Sequence, residues 1–294
     1  MLHIRKILLW FLNRHAKLIK SDRLFLQIKY FLKVGHFLHL KHPKGFCEKL
    51  QWLKLYDRKD IYTVMVDKFA VKEYVSNKIG DKYVIENYGV WDRTDDIDFD
   101  ALPNQFVLKT THAAGMSGVV VCKDKASFDF SNAKNKLSRS LGLESFWKTR
   151  EWPYKDIQPR IIAERYLEDE SGALNDYKVM CFNGEAKLIQ LHMGRARGVH
   201  TQDFYDVNWN KLNDLDQLDC VQSDIVYPKP KCLEEMLALS NVLSKGLPQL
   251  RVDWYVVDGQ LFFGELTFYD ASGYDLFIPY EKEIEIGRWI TLPR

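Results

Sequence analysis

Apolar and polar residues alternate most clearly at 251–267, Arg-Val-Asp-Trp-Tyr-Val-Val-Asp-Gly-Gln-Leu-Phe-Phe-Gly-Glu-Leu-Thr, on both sides of the turn pair Asp258-Gly259. The pattern predicts a β-hairpin. With a three-residue loop and Gly259 in the left-handed bulge position, Arg251, Asp253, Tyr255, Phe263, Glu265 and Thr267 share one face. The other face is then Val252, Trp254, Val256, Phe262, Gly264, Leu266 and Phe268, almost wholly apolar. A two-residue loop shifts the register by one and puts Glu265 opposite to Asp253, so the burial pattern favours the longer loop.

Elsewhere, strands are expected at 83–90, 106–110, 118–122 and 160–164, and a hairpin of 176–182 with 185–193 across Asn183-Gly184. Helices are expected at 46–58, at 62–78 (opened by Asp60 and closed by Gly80), at 129–141 and at 231–245. Pro43-Lys44-Gly45 marks the earliest boundary, and 194–203 reads as a polar loop. Strands and helices joined mostly through hairpins make an α+β pattern rather than a doubly wound sheet.

The chain has 294 residues, enough for one large or two smaller domains. Its net charge of +2 hides an asymmetry, because residues 1–44 hold ten Lys/Arg against Asp22 alone, a net +9 that leaves −7 for the rest. Basic residues interleaved with Leu, Phe and Trp there predict helices that either lie on an anionic membrane surface or dock on the protein's own core. The apolar run 7–12 is too short to cross a bilayer. His36, His39 and His42 have helical spacing, but Pro43 ends that helix and no acidic ligand is near. Five scattered cysteines argue for a reducing compartment, and no zinc spacing, Walker loop or Gly-x-Ser-x-Gly elbow is present. A cytoplasmic protein is expected, peripheral at the inner membrane face if residues 1–44 bind there, with no nucleic-acid partner.

Two neighbouring carboxylates, Asp253 and Glu265, need a cation or an Arg between them. Arg251 neutralises one, and Mg²⁺ held by carboxylates and substrate phosphates suits the pair; a salt-bridged sheet face is the alternative. Lys109 stands at a strand end before a small-residue loop with His112, Gly115, Ser117 and Gly118. Such a loop can fold over nucleotide phosphates with its N–H groups as donors, or be an ordinary turn beside an exposed Lys. The stretch Arg160-Ile-Ile-Ala-Glu164-Arg-Tyr166-Leu167-Glu168-Asp169 can offer backbone groups to adenine and a carboxylate to a ribose, or simply end a strand. Lys178 shares a face with Asp176 and either reaches a phosphate or substrate carboxylate or forms an ion pair. Arg195 and Arg197 suit an anionic substrate or are solvated.

In order, these segments resemble the ATP-grasp superfamily, and within it the teichuronopeptide-synthesis-like (TupA-like) branch of bacterial surface-polysaccharide proteins. The resemblance covers about 46–294. It rests on Lys-Leu-Gln-Trp-Leu-Lys-Leu-Tyr-Asp (49–57), Asp67-Lys68 with Val-Lys-Glu-Tyr-Val (71–75), Phe-Val-Leu-Lys-Thr-Thr-His (106–112) and Ile-Ile-Ala-Glu (161–164). It continues through Asp-Tyr-Lys…Cys-Phe-Asn-Gly (176–184), Phe-Tyr-Asp-x-x-Trp (204–209) and Arg-Val-Asp…Gly-Glu-Leu-Thr-Phe (251–268).

The resemblance implies two α+β subdomains gripping ATP, at about 104–163 and 164–294 within a domain 59–294, after a basic, aromatic-rich helical segment 1–58. It makes Lys109 the phosphate-binding lysine, the 112–118 loop a phosphate lid, Glu164, Tyr166 and Leu167 the adenine hinge, and Arg251 a phosphate contact. Asp253 and Glu265 match Mg²⁺ ligands; Thr267 stands where most relatives have Asn, and its hydroxyl is a poorer ligand. The implied activity is carboxylate–amine ligation, with Arg251, Lys178 and Arg195 acting on the reacting groups. The polysaccharide association suggests a uronic acid as carboxylate and an amino acid as amine. A metal-dependent glycosyltransferase using Asp96-x-Asp98 and a non-catalytic adaptor of the polysaccharide machinery are the alternatives.

Overall fold

The computed structural model describes residues 2–113, 115–169, 174–194, 200–218 and 220–293. It opens with α1 (Leu2–Arg14) and α2 (Asp22–Val34). The Ser21 hydroxyl caps α2 by accepting from Leu24 N–H at 3.2 Å, and Gly35 ends the helix in the left-handed conformation. In α3 (Phe46–Tyr56), the Glu48 carboxylate reaches back to the Lys44 and Gly45 N–H groups at 2.9 and 3.3 Å.

The helix expected over 62–78 is two, α4 (Ile61–Val66) and α5 (Ala70–Ile79). Asp67 breaks it, because its Oδ1 accepts from the Phe69 and Ala70 N–H groups at 2.8 and 3.2 Å and so caps a new helix. Lys68 N–H then donates to the Thr111 carbonyl, tying the break to the first sheet.

That sheet comprises β1 (Asn87–Trp91), β2 (Phe106–Thr110), β3 (Val119–Cys122) and β4 (Ile161–Arg165), in the order β1-β4-β2-β3. Leu137 of α6 (Phe130–Leu141) packs with Phe106, Leu108 and Ile161 on one side of it, and α7 (Ser145–Thr149) follows. The second sheet has β5 (Asp176–Phe182), β6 (Glu185–Met193), β7 (Thr201–Tyr205), β9 (Gln249–Val257) and β10 (Gln260–Thr267), in the order β10-β9-β5-β6-β7. β8 (Asp216–Gln217) pairs with β11 (Phe277–Ile278); α8 (Leu233–Ser244) covers β5, β6 and β9, and α9 (Tyr280–Arg288) follows. Both sheets are antiparallel, so the chain is α+β. β1 starts four residues later than the strand expected from 83, and β7 takes up the end of the loop expected at 194–203.

Helix α2 docks on the core. Its Phe25, Leu26 and Tyr30 are fully buried in one cluster with Trp254 and Phe277. Arg150, also fully buried, donates to the Ala16 and Ile19 carbonyls at 2.8 Å and stands 3.3 Å from Asp22. No helix among the described residues is long and apolar enough to cross a membrane.

Candidate active site

The β9–β10 turn is tighter than expected: Asp258 and Gly259, at φ 51° and 76°, form a two-residue type I′ turn, and Gln260 pairs with Val257. Counted from that turn, Glu265 belongs on the face away from Asp253. A β-bulge at Gly264 supplies the missing residue, so Glu265 pairs with Asp253 and Thr267 with Arg251. Phe262 therefore pairs with Tyr255 and Phe263 with Trp254, the reverse of the expected facing. A Cβ on residue 264 stands 3.0 Å from the Asp253 carbonyl oxygen and 3.3 Å from the Tyr255 ring, which favours glycine there. The two carboxylates share a face, through a different device.

Register extends this face into a polar row, with Glu265, Asp253, Lys178 and Gln190 as successive cross-strand neighbours. Arg251 grips Asp253 with two bonds, Nε to Oδ1 at 2.7 Å and Nη2 to Oδ2 at 2.8 Å. It also binds Asp270 and reaches Glu265 Oε1 at 3.3 Å and Thr267 Oγ1 at 3.2 Å. Lys178 Nζ donates to Asp253 as well. Burial pushes the Asp253 carboxyl up, but Arg251 and Lys178 outweigh it and hold it at about 2.

On the first sheet, Val107, Lys109, Val119, Val121 and Glu164 share the face turned away from α6. Buried Glu164 lies between Lys72 and Lys109, at 2.5 and 2.6 Å. Burial raises its carboxyl; the two lysines outweigh that and hold it at about 2. Lys68 Nζ donates to the Ala113 carbonyl at 2.5 Å. Burial and then Lys109 lower the Lys68 pKa, while Glu265 opposes them.

These residues line a cleft between the sheets in three stages. A slot is walled by Val107, Val121, Tyr166, Leu167 and Tyr255. A middle chamber holds Lys68, Lys72, Lys109, Lys178, Asp253 and Glu265. An outer chamber holds Glu151, Gln190, His192, Gln202, Arg251 and Asp270. Lys109 and Glu164 border both slot and middle; Gly115, Lys178 and Glu265 border both middle and outer.

Of the residues singled out from sequence, the cleft brings together Lys109, Gly115, Glu164, Tyr166, Leu167, Lys178, Arg251, Asp253, Glu265 and Thr267. His112 and Gly118 are buried, and neither lines the cleft, nor does exposed Ser117. The His112 ring is set against the backbone of Leu143 and Ser140, and burial lowers its pKa. Gly118 packs where a Cβ meets Thr110 Oγ1 at 1.9 Å and Ser140 Oγ at 2.5 Å. Gly118→Ala is therefore expected to cost about 1–3 kcal/mol of stability, read as a lowered urea midpoint, by forcing α6 from β2. Arg195 lies outside the described residues. Asp96 and Asp98 are exposed and off the cleft, Asp98 Oδ1 accepting from the Asp100 and Ala101 N–H groups at 3.1 and 3.2 Å.

Sequence reading gave no role to Lys68 and Lys72, although both stand in the Asp67-Lys68 and Val-Lys-Glu-Tyr-Val motifs. Glu151, Asp270 and the glutamines of the outer chamber carried no local signal.

Among the described residues, no group of three or more His, Cys, Asp or Glu is placed to hold a metal ion. Asp253 and Glu265, with Thr267 Oγ1 bonded to Glu265 Oε1 at 3.3 Å, fit Mg²⁺ as part of a shell that phosphate oxygens complete.

A model of the TupA-like ATP-grasp family matches residues 48–291. The chain belongs to that family. Its paired antiparallel sheets facing one cleft are therefore an ATP-grasp fold. Among solved structures, D-alanine–D-alanine ligase from Helicobacter pylori is 15% identical, with 84% of this chain and 69% of that one covered and a TM-score of 0.49. The Bacillus anthracis ligase complexed with ATP is 15% identical over 70% of this chain and 54% of that one, TM-score 0.40. An ADP complex of N5-carboxyaminoimidazole ribonucleotide synthetase is 14% identical over 75% and 50%, TM-score 0.46. The TupA-like chain thus spans half to two thirds of the length of these proteins. No curated protein matches it.

Proposed function

We propose that this TupA-like ATP-grasp protein is an ATP-dependent carboxylate–amine ligase. The observation that carries the reading is the continuous cleft, with its apolar slot, cationic middle and amide-lined outer chamber. A nucleotide base fits the slot, with Glu164, Tyr166 and Leu167 as its hinge. A triphosphate suits Lys68, Lys72 and Lys109, which would leave Glu164 for phosphate oxygens. Parts at about 104–163 and 164–294 serve as the two gripping subdomains, after the segment 1–58.

The acceptor carboxylate oxygen attacks the γ-phosphorus, the bond to the β-phosphate oxygen breaks, and ADP leaves. The amine nitrogen then attacks the acyl carbon, inorganic phosphate departs, and the nitrogen loses a proton. Charge moves from oxygen to oxygen, so the work is neutralisation more than acid–base transfer. Arg251 and Lys178 supply fixed positive charge between the middle and outer chambers. Asp253, Glu265 and Thr267 would hold Mg²⁺, which supplies charge neutralisation to the phosphates when bound.

The acceptor in this reading is a uronic acid of a bacterial surface polysaccharide such as a capsule, and the amine an amino acid. Gln190, Gln202 and Gln217 beside Tyr154 and Tyr269 suit sugar hydroxyls and a sugar ring. A bilayer surface as workplace, through residues 1–44, rests on separate residues. With ATP, Mg²⁺ and the right carboxylate, hydroxylamine should replace the amine and give a hydroxamate together with ADP. A screen of uronic acids that yields neither product, while a sugar nucleotide is consumed, makes the protein a glycosyltransferase; binding of neither ATP nor a sugar nucleotide makes it an adaptor.

A further inference from the structure

Helix α1 carries its apolar residues on the wrong side for a helix in water. Ile4, Ile7, Leu8 and Phe11 follow the spacing of a single helical stripe and are 62%, 60%, 49% and 57% exposed. One flank of the helix, about a quarter-turn from this stripe, is anchored, with Leu12 buried in the main core. Arg5 stacks over Phe31 of α2 at 5.4 Å, and Arg14 stacks over Trp10 at 5.5 Å. The stripe is therefore presented by a fixed helix, and the same segment also exposes Leu18, Leu24 and Phe37.

Charge says what covers it. Exposed Lys6, Arg14, Lys17, Lys20, Arg23 and Lys33 surround these apolar residues. Asp22, the segment's sole acid, is engaged by Arg58 at 2.8 Å and by Arg150. A protein partner or second copy of this chain would need a strongly acidic face with apolar insets; an anionic bilayer offers both everywhere on its surface. The −7 of the remaining chain is repelled by such a surface, which fixes which side faces it.

We infer that α1 docks on an anionic lipid bilayer, with Ile4, Ile7, Leu8 and Phe11 entering the headgroup–acyl boundary and the surrounding lysines and arginines meeting lipid phosphates. A cleft beside the end of α1, lined by Arg14 and Lys148 over Leu18 and Trp147, with Lys17 paired to Glu144 at its rim, offers a headgroup its own seat. The connection that forms the far wall of this cleft continues into Thr149, Glu151 and Tyr154 of the outer chamber. The docked helix is thereby linked to the wall of the outer chamber through residues 142–154.

Sedimentation of the full chain with vesicles, without ATP, tests this independently of the ligase reading. Binding to phosphatidylglycerol–phosphatidylcholine vesicles is expected, with little to pure phosphatidylcholine and a decline as salt rises. Replacing Ile7 and Phe11 together by Asp should weaken binding at least tenfold at unchanged melting temperature, since both side chains are exposed. Lys6→Glu with Lys20→Glu should weaken it as well and flatten the salt dependence. Equal binding of the wild type and both variants overturns the inference. So does a dimer in analytical ultracentrifugation that the Ile7/Phe11 variant abolishes while vesicle binding persists.

Discussion

Asp253→Asn is expected to lower ATP turnover by ~10²–10³-fold and to destabilise the protein by about 3–5 kcal/mol. Asp253 is 3% exposed and accepts from Arg251 twice and from Lys178 once. An asparagine keeps one acceptor oxygen and turns an N–H₂ group toward a cation, leaving two buried positive charges undercompensated. The effect depends on pH in a fixed direction. Burial raises the Asp253 carboxyl, yet Arg251 and Lys178 hold it at about 2, below an unfolded value of about 4. Its stabilisation is therefore complete above about pH 4 and lost as pH falls toward 2. Urea midpoints of wild type and variant should draw together as pH falls from about 4 toward 2. Wild-type turnover in the variant would make the carboxylate a scaffold element and end its proposed role with Mg²⁺.

Glu164→Gln is expected to destabilise the ligand-free protein by about 3 kcal/mol, because Lys72 and Lys109 both face that carboxylate at 2.5 and 2.6 Å. A polyphosphate can take over the task that Glu164 performs in the empty cleft. Saturating ATP with Mg²⁺ should then restore most of the lost melting temperature, beyond the rise it gives the wild type. If ATP binds the variant without closing the gap, the lysines serve the fold rather than the phosphates. The Glu164 contribution shares the acid limit of Asp253: full above about pH 4.5, lost as pH falls toward 2.

Local chemistry made much of this readable. Asn183-Gly184 and Asp258-Gly259 announced their hairpins, and the strand predicted at 106–110 has those bounds. Alternation around Trp254 and Leu266 correctly put Asp253 and Glu265 on one face, because burying that apolar set overrides any turn. The means was hidden: a glycine bulge looks like any glycine in a strand, and its need arises from the Asp253 carbonyl across the ladder. Asp67 ended a helix that periodicity carried through, since a cap depends on where the side chain turns. Gly118 and His112 sat in a convincing loop string, yet contacts with Ser140 of α6 draw them inward. Asp67 acts on its near neighbours Phe69 and Ala70; partners distant in sequence decided the other cases.

Arg150 bears on how the N-terminal segment can be handled. Its guanidinium has two carbonyls and a carboxylate of residues 16–22 as partners, and it stacks over Phe25 at 4.4 Å. A chain begun at residue 45 keeps this buried cation and removes the two carbonyls and the carboxylate that partner it, together with Phe25, Leu26 and Tyr30. Those three side chains alone represent roughly 5–9 kcal/mol of burial, comparable to the whole stability of a typical domain. Residues 16–34 and the ATP-grasp body are therefore expected to melt as one cooperative unit. Anionic vesicles should then act as a stabilising ligand for the entire enzyme, raising its melting temperature in proportion to the logarithm of lipid concentration.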